Sequence, residues 1–128
     1  MSVRTATYDI LQADSPVSTE ISTRLYLDFA PQGTALPHIV FFYNMIEDTY
    51  TKDNNSLTDK YSVNLEIYHN SPAEAEALGL KCRTALQGYR GTINGVVVKG
   101  SRLVDERHDY EPELDAMYEQ EYELIIDR

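Results

Sequence analysis

The segment from Ser71 to Gly88 is marked as a helix at both ends, and it constrains the fold more than any other part of the chain. Ser71 is a natural N-cap, and Pro72 suits the first helical position. Glu74 stands three residues after Ser71 and completes a capping box, while Gly88 can end the helix. The apolar positions between them recur at spacings of three and four, which predicts one buried stripe of Ala75, Leu78, Cys82, Ala85, Leu86 and Tyr89. From 72 to 87 the helix would be roughly 24 Å long, enough to cross a four-stranded sheet.

Strands are predicted on both sides of this helix. Tyr61–His69 alternates between apolar and polar side chains, which is typical of a half-buried strand, and it should run antiparallel to the strand before it. That earlier strand, His38–Tyr50, is apolar on both faces. It is therefore either central in the sheet or covered on one face by a neighbouring subunit. Thr92–Leu103 and Ala116–Asp127 are the strand candidates after the helix.

The remaining elements complete an order that is typical of an α+β fold. Residues 2–13 place their apolar side chains on one helical face, and Pro16–Thr23 has room for one further helical turn. Asn94 and Gly95 favour a tight turn that would make the first strand after the long helix a short hairpin. We therefore predict that residues 1–128 form a single domain, a four-stranded, mostly antiparallel sheet with two helices packed on one face.

The composition of the chain limits the cellular compartment and the kinds of binding partner that are expected. The 128 residues contain 11 Lys and Arg against 21 Asp and Glu, for a formal charge of −10, so tight binding to nucleic acid is not expected. No apolar run approaches the ~20 residues of a membrane span, and the N-terminal sequence lacks the apolar block of a signal peptide. A single cysteine fits a reducing compartment, so we expect the protein to be made and kept in cytoplasm.

The reactive residue types form no catalytic pattern. His38, His69 and His108 are scattered, and each is expected at the surface with no nucleophile or metal partner at a recognisable spacing. Cys82 falls on the apolar stripe, where a thiol behaves as a small hydrophobic group. The acidic segment 105–111 has oxygen and imidazole ligands but lacks the register of a calcium loop. We therefore predict no enzyme activity, no cofactor and no designed metal site.

One stretch carries a family resemblance. Residues 24–42, RLYLDFAPQGTALPHIVFF, read as a short edge strand, an ordered loop and a long apolar strand, with Pro31, Gly33 and Pro37 in the loop. With the short helix before it and the strand, helix and two strands after it, this stretch resembles the phage tail completion or tail terminator family. The resemblance covers nearly the whole chain, from about Val3 to Ile126.

The resemblance implies a structural role. Proteins of this kind form a closed ring, here expected to be a hexamer, on the end of the tail tube. The ring stops tube polymerisation and presents its other face to the head, so the implied partners are further copies of the chain, the tail tube protein and the head connector protein. DNA would pass through without specific binding, and the protein would end in the virion at the junction of tail and head. No membrane is implied.

Two polar segments, 51–58 and 104–113, are predicted to be exposed, poorly ordered connections. Such loops suit docking in an assembly protein because they can become ordered when a partner surface arrives. The alternative is that they only connect strands. The candidate docking residues are Lys52, Asp53, Asn54, Asn55, Asp105, Glu106, Arg107, His108 and Asp109.

Two further surfaces are predicted from side-chain alternation. Glu119, Glu121 and Glu123 project from one face of the last strand and require water or cations beside them, so they would line the lumen or another open surface. An ordinary outer surface is the alternative. A sheet covered by helices on one face leaves the other uncovered, and the candidate subunit interface consists of Tyr43, Met45 and Tyr68.

Two other functions remain open at this point. A neck or head-completion protein of the same junction would have a similar size and composition. A small cytoplasmic enzyme or metal-binding protein could instead use His108 and its acidic neighbours.

Overall fold

The computed structural model describes residues 3–50, 56–109 and 116–127. Within these ranges the chain forms three helices and six strands. In chain order they are α1 (Val3–Ala13), α2 (Ser15–Ile21), β1 (Leu25–Leu27), β2 (His38–Tyr50), β3 (Ser56–His69), α3 (Pro72–Leu86), β4 (Gly91–Ile93), β5 (Val96–Asp109) and β6 (Ala116–Asp127).

The strands form one curled sheet in the order β1-β2-β3-β6-β5-β4. Strand β1 runs parallel to β2, and all other neighbours are antiparallel. The predicted α+β class is confirmed, but the sheet has six strands instead of four, and three helices accompany it instead of two. The additional strands β1 and β4 have three residues each, too few to show an alternating pattern in the sequence.

The core lies between the three helices and one face of the sheet. Strand residues of one alternation are buried there, among them Phe41, Leu65 and Tyr122, together with apolar residues of all three helices. Every second residue of β3 and β6 therefore points away from the helices. We call this helix-free side of the sheet the open face.

The predicted boundaries of α3 are confirmed. The Ser71 hydroxyl oxygen accepts a hydrogen bond from the Glu74 backbone N–H at 3.3 Å. The helix ends at Leu86, and Gly88 follows with φ +78°. The Gly88 N–H donates to the Ser101 carbonyl at 2.7 Å, which ties the end of the helix to β5.

The shorter predicted elements are also present. Helix α2 is the additional helical turn, β1 is the short edge strand, and Asn94 and Gly95 adopt positive φ values of 46° and 82° in the turn between β4 and β5. That turn makes the segment after α3 a hairpin, as predicted.

The second predicted docking loop was placed wrongly. Asp105, Glu106, Arg107, His108 and Asp109 belong to strand β5 and pair in register with β6. Their high charge is typical of a loop, but the segment pairs with β6 along its length, and Arg107 meets the opposite charge of Glu119 there.

The first predicted docking loop overlaps the start of β3, which begins at Ser56. Its candidate residues Lys52, Asp53, Asn54 and Asn55 lie outside the described residues.

Candidate interaction surfaces

The three predicted carboxylates of β6 lie on the open face, and each has a partner there. Arg107 contacts Glu119 with 2.6 Å between Nη2 and Oε2. Glu123 is 3.1 Å from Arg102 and 3.7 Å from Lys60. These cations come from the neighbouring strands β5 and β3, so the acidic row is one line of a charge array that spans three strands.

Glu121 lies between the two ion pairs and accepts a hydrogen bond from the Ser62 hydroxyl at 2.9 Å. Because Arg102 and Arg107 are exposed, the pairs contribute about 0–1 kcal/mol each to stability. Their main effect is on charge distribution: around β6 the open face carries both acidic and basic side chains.

Glu66 is the least favourably placed carboxylate of this face, because its direct neighbour on β6 is Glu119. Burial raises the pKa of Glu66, a hydrogen bond from Tyr68 lowers it, and the Glu119 charge raises it, so the pKa lies above its usual range. The Tyr68 hydroxyl donates to Glu66 Oε1 at 3.2 Å. Burial together with the Glu66 charge raises the pKa of Tyr68 to about 12.

Tyr68 belongs to an aromatic row on the open face. Its ring stacks on His38 with 4.9 Å between centroids, and His38 meets the edge of Tyr26 at 6.4 Å. His38 is only 8% exposed, so the expectation that it lies at the surface is wrong. Tyr68 is half-buried in this row.

The structure does not bring the three predicted interface residues together. Tyr43 and Met45 continue the alternation of Phe41, which faces the helices, whereas Tyr68 is on the open face. Tyr43 is 38% exposed and Met45 50%, because this half of β2 extends beyond the core. In the same segment Phe42 is exposed on the open face, and Ile46 is exposed at the register shift between Met45 and Glu47. Strand β2 lies next to the edge strand β1, and coverage of its apolar residues by a neighbouring subunit stays a prediction.

Sequence reasoning missed a groove between α3 and β5. The groove has a volume of about 420 Å³ and is lined by Ala73, Glu76, Ala77, Leu80, Arg83 and Glu106. Leu80 is 62% exposed, and Arg83 is 3.6 Å from Glu106 across the groove. The sequence signal that could have indicated this groove is Leu80, a large apolar residue outside the buried stripe of its helix.

A buried polar cluster joins α2 to β3 and α3. His69 is 7% exposed, contrary to the expectation of a surface residue, and its Nε2 is 2.8 Å from Glu20 Oε2. The Asn70 N–H donates to His69 Nδ1 at 2.8 Å, so Nε2 carries the proton that is donated to Glu20. Lys81 Nζ donates to the other Glu20 oxygen at 2.6 Å. These three side chains connect α2 to β3 and α3.

The reactive residues are not arranged for chemistry in the described part of the chain. Burial, followed by the charges of Asp14 and Glu20, raises the pKa of the Cys82 thiol well above its usual range. A thiol held protonated in the core is a poor nucleophile. Among the described residues, no three His, Cys, Asp or Glu side chains come close enough to bind a metal ion. None of the described helices has the length and apolar character of a membrane span.

Comparisons with known proteins identify relatives of the whole fold. The family described as "Tail completion protein gp17" matches residues 5–123. Among solved structures, 19 chains match. One is a chain of the "Virion of native gene transfer agent (GTA) particle", with a TM-score of 0.81 and 15% sequence identity over 99% of this chain and 96% of that chain. No curated protein matches. At that identity the structural likeness concerns the fold alone.

Proposed function

This chain belongs to the tail completion protein gp17 family, whose members are structural proteins of phage tails, and we propose that it forms a closed ring of six on the end of the tail tube. The ring ends tube polymerisation and joins the tail to the head. Its neighbours are the tail tube protein on one side and the head connector protein on the other. Assembly takes place in the host cytoplasm, and the finished ring stays in the virion.

The observation that carries this proposal is the distribution of exposed apolar side chains. Strand β2 exposes Phe42 on one face, Tyr43 and Met45 on the other, and Ile46 at a register shift, each between 37% and 50%. Large apolar side chains on both faces of one strand are unfavourable in water and are suited to burial against other subunits. A virion chain with the same fold supports the same conclusion.

The charged part of the open face around β6 fits the DNA channel in this proposal. Glu119, Glu121 and Glu123 keep a line of carboxylates beside Arg102 and Arg107, so the surface is well hydrated without a continuous basic patch. DNA would pass such a surface without specific binding. An assembled ring in which these carboxylates are buried in a subunit contact would contradict this placement.

Docking to the tube and the connector is assigned to residues 52–55, which connect β2 to β3 in the chain. Deletion of residues 52–55 with a tight turn in their place should leave folding and ring formation intact while weakening attachment to tail ends. In the control variant, residues 52–55 are replaced by an equal number of Gly and Ser residues, so the length of the segment is unchanged. Attachment at wild-type efficiency by the deletion variant would show that the segment is a spacer.

The proposed function is tested with purified protein in two steps. Mass measured across a concentration series should show a hexamer in equilibrium with smaller species. The purified ring should then bind the open ends of tail tubes and not portal complexes alone. Binding to portal complexes in preference to tube ends would indicate a neck protein, and a monomer at every concentration would contradict the ring.

A further inference from the structure

We propose that copies of this chain join head to tail through the two edges of the sheet, with Phe29 of one copy inserted into the α3–β5 groove of the next. The proposal rests on the ring proposed above and specifies its subunit contact. Phe29, directly after β1, is 74% exposed, the highest value among the large apolar residues described.

At each edge of the sheet the outermost strand, β1 or β4, has three residues and covers only part of the long strand beside it. Strand β1 pairs with Ile39–Phe41 of β2, and no described strand pairs with the outer side of β2 beyond Phe41. At the other edge β4 pairs with Val96–Val98, and no described strand covers β5 beyond it. Each edge therefore has one part covered by a short strand and one part that no described strand covers.

The covered part of each edge lies at the same height in the sheet as the uncovered part of the opposite edge. Ile39 and Phe41 are in register, through β3 and β6, with His108 and Glu106 of β5. The part of β2 that β1 covers is thus level with the uncovered part of β5. In the same way, the part of β5 that β4 covers is level with the uncovered residues 48 and 49 of β2. Two copies placed side by side in the same orientation fill each other's gaps.

Strand direction also suits this arrangement. Because β2 and β5 run in opposite directions, β1 of one copy would lie antiparallel to the open half of β5 in the next. Strand β4 would lie parallel to the open half of β2. Backbone N–H and C=O groups that are unpaired in one copy thereby gain partners on another chain.

One edge of the sheet carries a projecting apolar side chain, and the other edge carries an apolar groove. Phe29 follows the β1 edge, where the Phe29 N–H donates to the Leu27 carbonyl at 2.8 Å and orders the turn. The groove opens at the β5 edge, and its apolar part consists of Ala73, Ala77 and Leu80. Its β5 member, Glu106, is level with Phe41 and therefore with Leu27 of β1, which stands two residues before Phe29. A projecting ring and an apolar groove thus occur at similar heights on opposite edges.

A second copy is the occupant that the geometry favours over an unrelated partner. The projection and the groove are on the same chain and on different edges, which is the requirement for a heterologous contact that closes into a ring. A two-fold contact between two β2 edges would leave the groove and the open half of β5 uncovered. Head-to-tail contact covers both edges of every subunit.

Cross-linking between engineered cysteines tests the contact. Cys82 is fully buried, so it leaves a low background for thiol reagents. The variants are Phe29→Cys, Leu80→Cys and the double variant, treated with a short bis-maleimide. A mixture of the single variants should give a covalent dimer, and the double variant a ladder of larger species. Each single variant alone should remain uncross-linked.

Other outcomes separate this contact from the ring itself. A covalent dimer of Phe29→Cys alone would indicate a two-fold contact and overturn the proposal. Oligomers of the expected mass without cross-links between positions 29 and 80 would overturn this contact and leave the ring standing. If the protein without these substitutions were a monomer at every concentration, both would be overturned.

A charge substitution provides a second measurement that does not depend on cross-linker geometry. Phe29→Asp should raise the concentration needed for oligomer formation by about tenfold or more, because it places a carboxylate in an apolar contact. Gln32→Asp adds the same charge to the same exposed loop and should have no such effect. Equal effects of the two substitutions would show that charge, and not the loss of the Phe29 ring, changes assembly.

Discussion

Gly79 of α3 lies against the ring of Tyr118 of β6 so closely that a Cβ atom at position 79 would be 2.7 Å from Tyr118 Cδ2. The same close approach lets Gln120 Nε2 donate to the Gly79 carbonyl at 2.8 Å. Tyr122 in turn donates from its hydroxyl to Gln120 Oε1 at 2.8 Å. A glycine in the middle of a helix thus permits a buried polar connection between the helix and the centre of the sheet.

Gly79→Ala should destabilise the protein. Alanine favours a helix over glycine by about 1 kcal/mol, but overpacking against Tyr118 costs about 1–3 kcal/mol and should exceed that gain. Gly100→Ala is the matched control, since its added methyl group meets nothing within 4 Å. Chemical denaturation measures both. A Gly79→Ala protein more stable than wild type would mean that Tyr118 moves aside at little cost.

Leu86→Ala should cost about 2–5 kcal/mol of unfolding free energy, because Leu86 is fully buried between α3 and the sheet. Leu80→Ala removes the same atoms from an exposed position on the same helix and should cost under about 0.5 kcal/mol. Both are measured under dilute conditions that exclude subunit contacts. A loss below about 0.5 kcal/mol for Leu86→Ala would contradict the assigned core face.

Tyr122→Phe should cost about 1–2 kcal/mol, because the buried Gln120 carbonyl oxygen loses its hydroxyl donor. Burial raises the pKa of Tyr122 above its usual range, so the hydroxyl is a donor at every accessible pH. Tyr43→Phe removes a hydroxyl from a partly exposed ring and serves as the control. Equal losses for the two variants would rule out a special contribution of the buried hydroxyl.

Glu20→Gln should reduce the loss of stability in acid. Burial alone would raise the pKa of Glu20, but the hydrogen bonds and charges of Lys81 and His69 outweigh it, and the pKa is lowered. The carboxylate therefore stabilises the fold above its ordinary pKa of 4.5, and this contribution is lost as the pH falls through the lower folded value. The variant should be less stable than wild type at neutral pH, with a difference that shrinks on acidification. A constant difference across the pH range would exclude the proposed titration.

Glu66→Gln should show the opposite dependence on pH. The raised pKa of Glu66 means that its charged form is disfavoured in the folded state, so the wild type loses stability as the pH rises through that value. The variant keeps an acceptor for the Tyr68 hydroxyl and removes the charge opposite Glu119. It should be more stable than wild type at neutral pH, and the advantage should vanish in acid. Urea titrations at several pH values measure both carboxylate variants.

The sequence was sufficient for the elements with strong local signals. Ser71, Pro72 and Gly88 set the limits of α3, and the alternation of β6 placed Glu119, Glu121 and Glu123 on one face. These features depend on residues close to one another in the chain. For the same reason Asn94 and Gly95 were enough to predict the β4–β5 hairpin.

The errors arose where a distant residue decides the environment. His69 is buried because Glu20, far away in the chain, comes to its side chain with Lys81. The high charge of residues 105–109 is typical of a loop in the sequence. Their strand is recognisable only once the distant strand β6 is considered, which provides Glu119 as the partner of Arg107. Whether Tyr43 and Tyr68 share a face depends on the register between β2 and β3, which no local pattern determines.

The position of β6 in the sheet has a consequence for synthesis on the ribosome. This strand, made after all the others, lies between β3 and β5 and is the only link between the two halves of the described sheet. Until it has left the exit tunnel, the nascent chain can form the β2–β3 hairpin and the β4–β5 hairpin but cannot unite them. The two halves of the described sheet are therefore joined only once β6 is available, and a subunit becomes competent for assembly only then.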